Sequence, residues 1–472
     1  MATLKHDLPT LGLFCLGFGT ITGVGWILLM GPWLQDAGSL GSMLAFAIGA
    51  IAIVFISLCY AELCAKFPVA GGEIVFNFEA YGLVVAFVTG WFIALTYISG
   101  IAYEAIAVGW LITDLVPELK GRYLYSSLGH DIHAGPLAIG LLFMGLIGWL
   151  NAKGVRGVSR IQVWVTMTFI AVSALFVFFA IFRGDIENLH PLYSGSSGLS
   201  AREGLFSVLA VTPFFYVGFN VIAQAMGERS ESLRPGTTTL VLVGCVVAAA
   251  VFYLLVIVAT AIVLPRDELL ADALPVSTAF QAAFGSVALG KAALIVGILG
   301  LLTTWNALYF AAGRVLLGFG RASLLPKPFT AVSESSGTPS VALLFTGIIG
   351  ALGTFLGQGA IIPIFNAMSG AMCVVFLLVC VAVIRLRKKD TQADARYRMP
   401  GGQATPVIGA VFATVLALIS FGQALVGADG GFPVEYSILL TWLILGYVFW
   451  QWSGTRRKGV SREDRRRMML EN

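Results

Sequence analysis

Charged side chains are scarce in this 472-residue chain. They make up 11% of it, against about 25% in a soluble domain. With 58% hydrophobic residues and a mean hydropathy of +0.89, that scarcity excludes a soluble globular protein and indicates a multi-span membrane protein. Histidine is scarcer still, with 4 in the chain. His130 and His133 read as loop residues, and the histidines and cysteines do not cluster as metal ligands would. The 6 cysteines, Cys15, Cys59, Cys64, Cys245, Cys373 and Cys380, fall within apolar stretches. No external disulfide and no disulfide-linked partner subunit is therefore expected. No HExxH and no Ser/His or Asp/Asp constellation lies at membrane depth, so an intramembrane enzyme is not expected. Met1 to Thr10 carries only Lys5, His6 and Asp7 as polar charges, and the apolar run beyond it is too long for a signal-peptide core.

Apolar runs and glycine are abundant. Twelve stretches are long enough to read as helical spans, near 11–34, 41–64, 83–113, 135–151, 161–182, 204–226, 238–264, 288–318, 340–357, 361–384, 405–427 and 433–453. The 55 glycines fit close helix contacts in a bilayer. With the N-terminus inside, 23 of the 29 Lys and Arg residues fall in inner segments, among them Lys66, Arg314, Arg321, Arg387 and seven in the tail after Trp452. Lys120, Arg122, Arg183, Arg202, Arg266 and Lys291 fall outside. Such a bias sets both termini on the cytoplasmic side. The net charge of +4 follows from this excess and implies no nucleic-acid partner. The tail bases Arg456, Arg457, Lys458, Arg465, Arg466 and Arg467 suit anionic lipid.

The first span is interrupted. Gly17, Gly19, Gly23 and Gly25 stand in one apolar stretch, and each interior glycine costs a helix about 1 kcal/mol against Ala. Irregular backbone in hydrocarbon persists only where protein buries it or a cavity solvates it. The sixth span is interrupted as well, at Thr212-Pro213 and Tyr216-Val217-Gly218-Phe219-Asn220. Interrupted spans at matching positions of two halves point to a transporter site. Half-helix N-termini there offer N–H groups to an anion, and opposing carbonyls receive a cation.

The motifs around these breaks are specific. Gly19-Thr20-Ile21-Thr22-Gly23-Val24-Gly25 is followed by Tyr60-Ala61-Glu62-Leu63 and Phe67-Pro68-Val69-Ala70-Gly71-Gly72-Glu73. Next come Leu150-Asn151-Ala152-Lys153-Gly154-Val155, Gly218-Phe219-Asn220 and Gly227-Glu228-Arg229-Ser230-Glu231. Arg314 with Leu324-Leu325-Pro326, Gly337-Thr338-Pro339 and Tyr397-Arg398-Met399-Pro400-Gly401-Gly402 complete the series. In this order, over nearly the whole chain, the series resembles the amino acid–polyamine–organocation (APC) transporter superfamily, and within it the amino acid permeases.

The resemblance implies an all-α membrane protein of twelve transmembrane helices with a LeuT-type 5+5 inverted repeat, helices 1 and 6 being unwound. The repeats would occupy 1–182 and 183–384, with 385–472 holding helices 11 and 12 and the basic tail. It implies alternating access for an amino acid or small organic amine, by cation symport or by exchange, with no cofactor beyond a coupling Na+ or H+. Carried over residue by residue, the N–H groups of Gly23, Val24 and Gly25 hold a carboxylate. The carbonyls of Ile21 and of Phe214, Phe215, Tyr216 and Val217 receive an α-ammonium. Phe214, Phe215, Tyr216 and Phe219 are gate candidates. Some relatives have a titratable Glu where Asn220 stands. Others have a lysine on helix 5 where Thr168 stands here, and its absence turns attention to sodium. Thr303, Thr304 and Thr22 are the candidate oxygen ligands.

Glu104 stands apart in the third span, in Tyr103-Glu104-Ala105. A charge at that depth costs at least ~2.5 kcal/mol and usually faces a cavity or a partner. Three readings follow: a ligand for the ammonium of a polyamine- or ethanolamine-like substrate, a proton-coupling carboxylate, or a structural carboxyl bonded to a neighbouring helix. Glu62, Glu73, Glu228 and Arg314 are expected at an inner gate. Asn306 and Asn366 are expected either along the pathway or in interhelical amide bonds. A channel or receptor remains the contrasting class, and it would lack paired breaks five spans apart.

Overall fold

The computed structural model describes residues 9–69, 71–154, 158–194, 200–226, 235–389, 397–426 and 431–470. The chain runs α1 (Thr10–Ile21), α2 (Gly25–Lys66), α3 (Gly72–Tyr81) and α4 (Leu83–Leu115). A hairpin of β1 (Tyr123–Ser127) and β2 (His130–His133) leads into α5 (Ala134–Lys153) and α6 (Val158–Arg183). Then follow α7 (Ala201–Phe215), α8 (Phe219–Gln224), α9 (Pro235–Val263), α10 (Arg266–Leu270) and α11 (Pro275–Phe284). The remainder is α12 (Val287–Arg321), α13 (Ser340–Thr354), α14 (Ile361–Lys389), α15 (Ala404–Val426), α16 (Val434–Trp452), α17 (Gly454–Lys458) and α18 (Arg462–Leu470). The protein is an all-α membrane protein, and the hairpin is its single sheet among the described residues. Among the described residues, ten segments are long and apolar enough to cross a membrane, and α1 and α13 are shorter apolar helices.

Burial sorts the helices into centre and periphery. The apolar windows of α4, of α7 with α8, and of α14 are 72%, 78% and 72% buried. Those of α5 and α16 are each 17% buried. Apolar side chains such as Leu142, Trp164 and Phe182 stand exposed on that periphery, where a bilayer in place of water makes exposure favourable.

The first two apolar stretches are joined by a single sharp bend. Gly38, at φ 74°, divides α2 into two limbs. A Cβ there would meet Pro191 O at 2.8 Å and Leu192 O at 2.9 Å, so no other residue fits. The backbone groups freed by the bend are taken up by the segment before α7. Leu40 N donates to Leu192 O at 2.9 Å and Ser194 N to Ala37 O at 3.2 Å. Arg266 donates to Leu34 O and Gln35 O, at the end of the first limb, where a cation suits unpaired carbonyls.

Contacts from the C-terminal helices tie that end of the chain to the centre. Trp91 of α4 and Trp442 of α16 stack at 4.6 Å, each indole N–H donating to the other's carbonyl, at 2.8 and 2.7 Å. Arg465 of α18 is buried and donates to Ala322 O, Arg457 O and Val460 O. Arg456 donates to Leu325 O, Arg457 lies over the Trp450 ring, and Arg466 pairs with Glu79 at 2.7 Å. Most of the tail bases thus engage the protein itself, where the sequence suggested lipid. This end of the bundle, which also holds Lys66, Arg321 and Lys389, is called the basic face below, and the opposite end the hairpin face.

Candidate substrate-binding site

Both expected breaks are present. Helical geometry stops after Ile21 and resumes at Gly25, and stops after Phe215 and resumes at Phe219. The four glycines of the first stretch divide in role. Gly17 and Gly19 lie inside regular helix, and a Cβ on Gly17 would reach Ile222 Cδ1 at 2.8 Å. Gly17 serves close packing, and the break itself is Thr22-Gly23-Val24. No side chain caps the start of α2, so the N–H groups at 23–25 border the break with the positive end of a helix behind them.

The two breaks touch. Gly218 has φ 145°, and a Cβ there would stand 2.7 Å from the Ile21 nitrogen. Pro213 supplies the sequence cause of the second break, since it cannot donate to Leu209 O. The Thr212 hydroxyl takes that carbonyl instead, at 2.9 Å. Ser369 of α14 supports the strained turn by accepting from Phe214 N at 3.3 Å and donating to Val211 O at 3.2 Å. Tyr216 N and Val217 N donate back to Thr212 O and Phe214 O. The Asn220 side chain accepts from Gly218 N at 3.0 Å and donates to the Tyr97 hydroxyl at 2.8 Å.

Around the breaks stands an aromatic wall. Phe215 packs on Gly25, where a Cβ would meet its ring at 2.5 Å. It stacks on Phe365 at 5.2 Å and meets Trp33 edge-on at 4.9 Å. Phe214 and Tyr103 each pack on Phe365 at 4.7 Å. Tyr216 donates to Phe46 O at 2.9 Å. Phe219 lies on the far side of the break, buried between Tyr60 at 5.0 Å and Phe376 at 5.7 Å.

Glu104 is 1% exposed, and its Oε2 has no hydrogen-bond partner among the described residues. It stands seven residues after Tyr97 on α4, about 10 Å further toward the hairpin face and on the same helix face. Tyr97 faces Asn220 at the second break, so Glu104 lies on the side of α4 turned to the breaks. A buried carboxylate oxygen without a donor costs ~1–3 kcal/mol or more, which is a cost a ligand's N–H can relieve.

The other expected residues fall in different places. Thr22 and Thr303 bond carbonyls of their own helices, Phe18 O at 2.9 Å and Gly300 O at 2.7 Å. Thr304 reaches across to Gly19 O at 3.0 Å and lies directly against Gly23. Asn306 accepts from Asn151 at 3.0 Å, joining α12 to α5 away from the breaks. Asn366 donates to Glu435 of α16 at 3.0 Å. Glu62 receives Nε and Nη2 of Arg387 together with Met399 N. Arg314 lies over the Phe310 ring, beside a basic-face cavity lined by Gly71, Pro339 and Met469. Glu228 lies outside the described residues. A second cavity, at the hairpin face, is lined by Asp114, Lys120 and His130.

Sequence reasoning missed Tyr253, Trp33, Phe365 and Ser369. Tyr253 of α9 donates to Ile21 O at 2.6 Å, so the carbonyl expected to receive an ammonium holds a tyrosine hydroxyl here. A lone phenol in the otherwise apolar run 245–259 was the available signal, because a buried Tyr hydroxyl usually has a partner.

Two helix breaks meeting inside a bundle of apolar helices define a polytopic membrane transport protein. The chain belongs to the amino acid permease family, which it matches over residues 8–446. It is a transporter rather than an enzyme. It is 25% identical over 469 residues to the branched-chain amino acid permease BcaP of Bacillus subtilis (strain 168), covering 95% of this chain and 93% of that one. It is 26% identical over 419 residues to the methylthioribose transporter of the same organism, covering 86% and 87%. Against the human cationic amino acid transporter 4 it is 28% identical over 408 residues, covering 82% of this chain and 61% of the relative.

Proposed function

We propose that this protein is a secondary active transporter that carries an amino acid across the membrane by alternating access. The observation that carries this reading is the contact of the two breaks at Gly218 and Ile21. In this reading the N–H groups at 23–25, at the uncapped start of α2, face the carbonyls of the second break, and the Phe215 ring lies against Gly25. A zwitterion has the matching charges: its carboxylate suits the N–H end and its ammonium suits the carbonyls. Phe214, Phe215, Phe365 and Tyr103 offer an apolar surface to its side chain. Membership of the amino acid permease family supports the same substrate class.

The full topology belongs to this proposal. α1 and the first limb of α2 form one broken span, α7 and α8 another, and α13 a short one. That gives twelve spans, both termini cytoplasmic, and inverted repeats over 1–182 and 183–384. The basic face is then the inner face. A second reading, a transporter of organic amines, rests on Glu104 and its unpartnered oxygen.

A panel of amino acids and amines tested by thermal shift on purified protein, with and without sodium, separates these. Hits are then followed by counterflow in proteoliposomes. Stabilisation by α-amino acids with matching counterflow is the expected result. Stabilisation confined to amines without a carboxylate favours the second reading. No stabilisation by either class counts against both.

A further inference from the structure

We propose that Glu73 is a proton-sensitive latch on α8: protonated Glu73 lets α8 pack closed, and deprotonated Glu73 drives it open to water. This rests on the transporter reading, in which the halves of broken helices move.

Glu73 opens α3, just after the second apolar limb, and is fully buried. Its carboxyl gathers three elements. Tyr60 of α2 donates to Oε1 at 3.0 Å. Asn220 of α8 donates to the same oxygen at 3.4 Å, and Gln224 of α8 donates to Oε2. Asn220 also receives Gly218 N and donates to Tyr97 of α4. The carboxyl is thus one side chain removed from the second break. α3 and α8 are in backbone contact as well, since a Cβ on Gly72 would meet Ala223 C at 3.2 Å. α8 is only six residues long, too short to hold its position by its own helical bonds. Its side-chain moorings to Glu73 therefore matter.

Glu73 has no ion pair among the described residues. The titratable groups facing it are neutral: Tyr60 on α2, Tyr97 on α4 and, beyond Tyr60, Cys380 on α14. α8 carries none. The nearby charges are already engaged. Arg387 of α14 is held by Glu62, Arg385 lies over Tyr81, and Lys389 donates to the carbonyls of Glu79 and Ala80. Arg466 of α18 pairs with Glu79, and Arg462 lies over Phe78.

Burial disfavours the charged form and pushes the Glu73 carboxyl from 4.5 up to about 7, against the opposing effect of its donors. In a state where α8 has moved away, water returns the group to its ordinary range. The packed state then holds the proton more tightly. Acid favours packing, and the preference is lost as pH rises from the ordinary value through about 7.

Hydrogen–deuterium exchange of the 219–226 segment between pH 5.5 and 7.5 tests this without any ligand, Glu73→Gln serving as the reference for intrinsic exchange. Wild type should open about twentyfold more across that range than the variant, following the linkage between the two values. Tyr60→Phe removes a donor to the charged form, so it should move the midpoint to higher pH; a purely structural contact would change the extent of opening and leave the midpoint in place. Superimposable profiles for wild type and Glu73→Gln would overturn the latch, as would an unmoved midpoint in Tyr60→Phe. An absence of any ligand in the panel above would overturn the transport reading and leave this result legible.

Discussion

Gly218 and Ile21 join the two helix breaks backbone to backbone, with no space for a Cβ between them. Gly218→Ala therefore meets two penalties, an unfavourable φ and a backbone clash. Strain of this kind costs on the order of 1–3 kcal/mol. The variant should lose ligand binding and show a lower melting temperature. Gly244→Ala, where the new methyl meets nothing within 4 Å, should be neutral or stabilising. Equal behaviour of the two would mean that the breaks do not depend on this contact.

Tyr253→Phe frees the Ile21 carbonyl. The hydroxyl contributes roughly 0.5–1.5 kcal/mol as a net hydrogen bond, so the unliganded protein should be destabilised by about that much. A substrate ammonium would then find an acceptor without a competitor. Affinity for an amino acid ligand should rise several-fold by isothermal titration. A large fall in affinity would instead assign Tyr253 to the substrate.

Glu104→Gln replaces a buried carboxyl whose Oε2 lacks a donor by an amide that never ionises. The melting temperature of the unliganded protein should rise in alkali, where an ionised carboxyl would be costly to bury, and change little in acid. Affinity for an amine ligand should fall at least about tenfold, the size expected for losing a charged hydrogen-bond partner. If stability and affinity both stay unchanged, Glu104 has no ligand role.

Thr304 bridges α12 to α1 through Gly19 O. A coupling sodium ion would draw on this hydroxyl and the neighbouring carbonyl oxygens, which are hard donors. Sodium should then raise the melting temperature of the wild type, and Thr304→Ala should abolish that increase. A wild type indifferent to sodium removes the ion from the mechanism.

The breaks were legible in the sequence because glycine and proline act locally. Pro213 cannot donate to its helix, and Gly218 alone tolerates its φ. Their partners were less legible, because contacts among central helices join residues far apart in the chain. Phe365 and Ser369 lie some 150 residues from the segment they support, and nothing in a run of apolar residues distinguishes the ones that meet it. Composition also made too much of four glycines. Gly17 and Gly19 continue a regular helix while Gly23 lies in the break, and Gly17 is marked by the neighbours that pack on it, Ile222 and Cys245. Asn306 shows the same limit: an amide suits a pathway or an interhelical bond equally, and its proximity to Asn151 decides its place here.

The reciprocal Trp91–Trp442 clasp has a practical consequence. It binds peripheral α16 to the helix that carries Tyr97 and Glu104, so those two helices share one frame of reference. Tyr447, 64% exposed on α16, is then a stationary mark at the rim of the protein. Distances measured by spectroscopy from a probe there to α1 or α8 would report the travel of the broken helices alone, free of any drift in the reference.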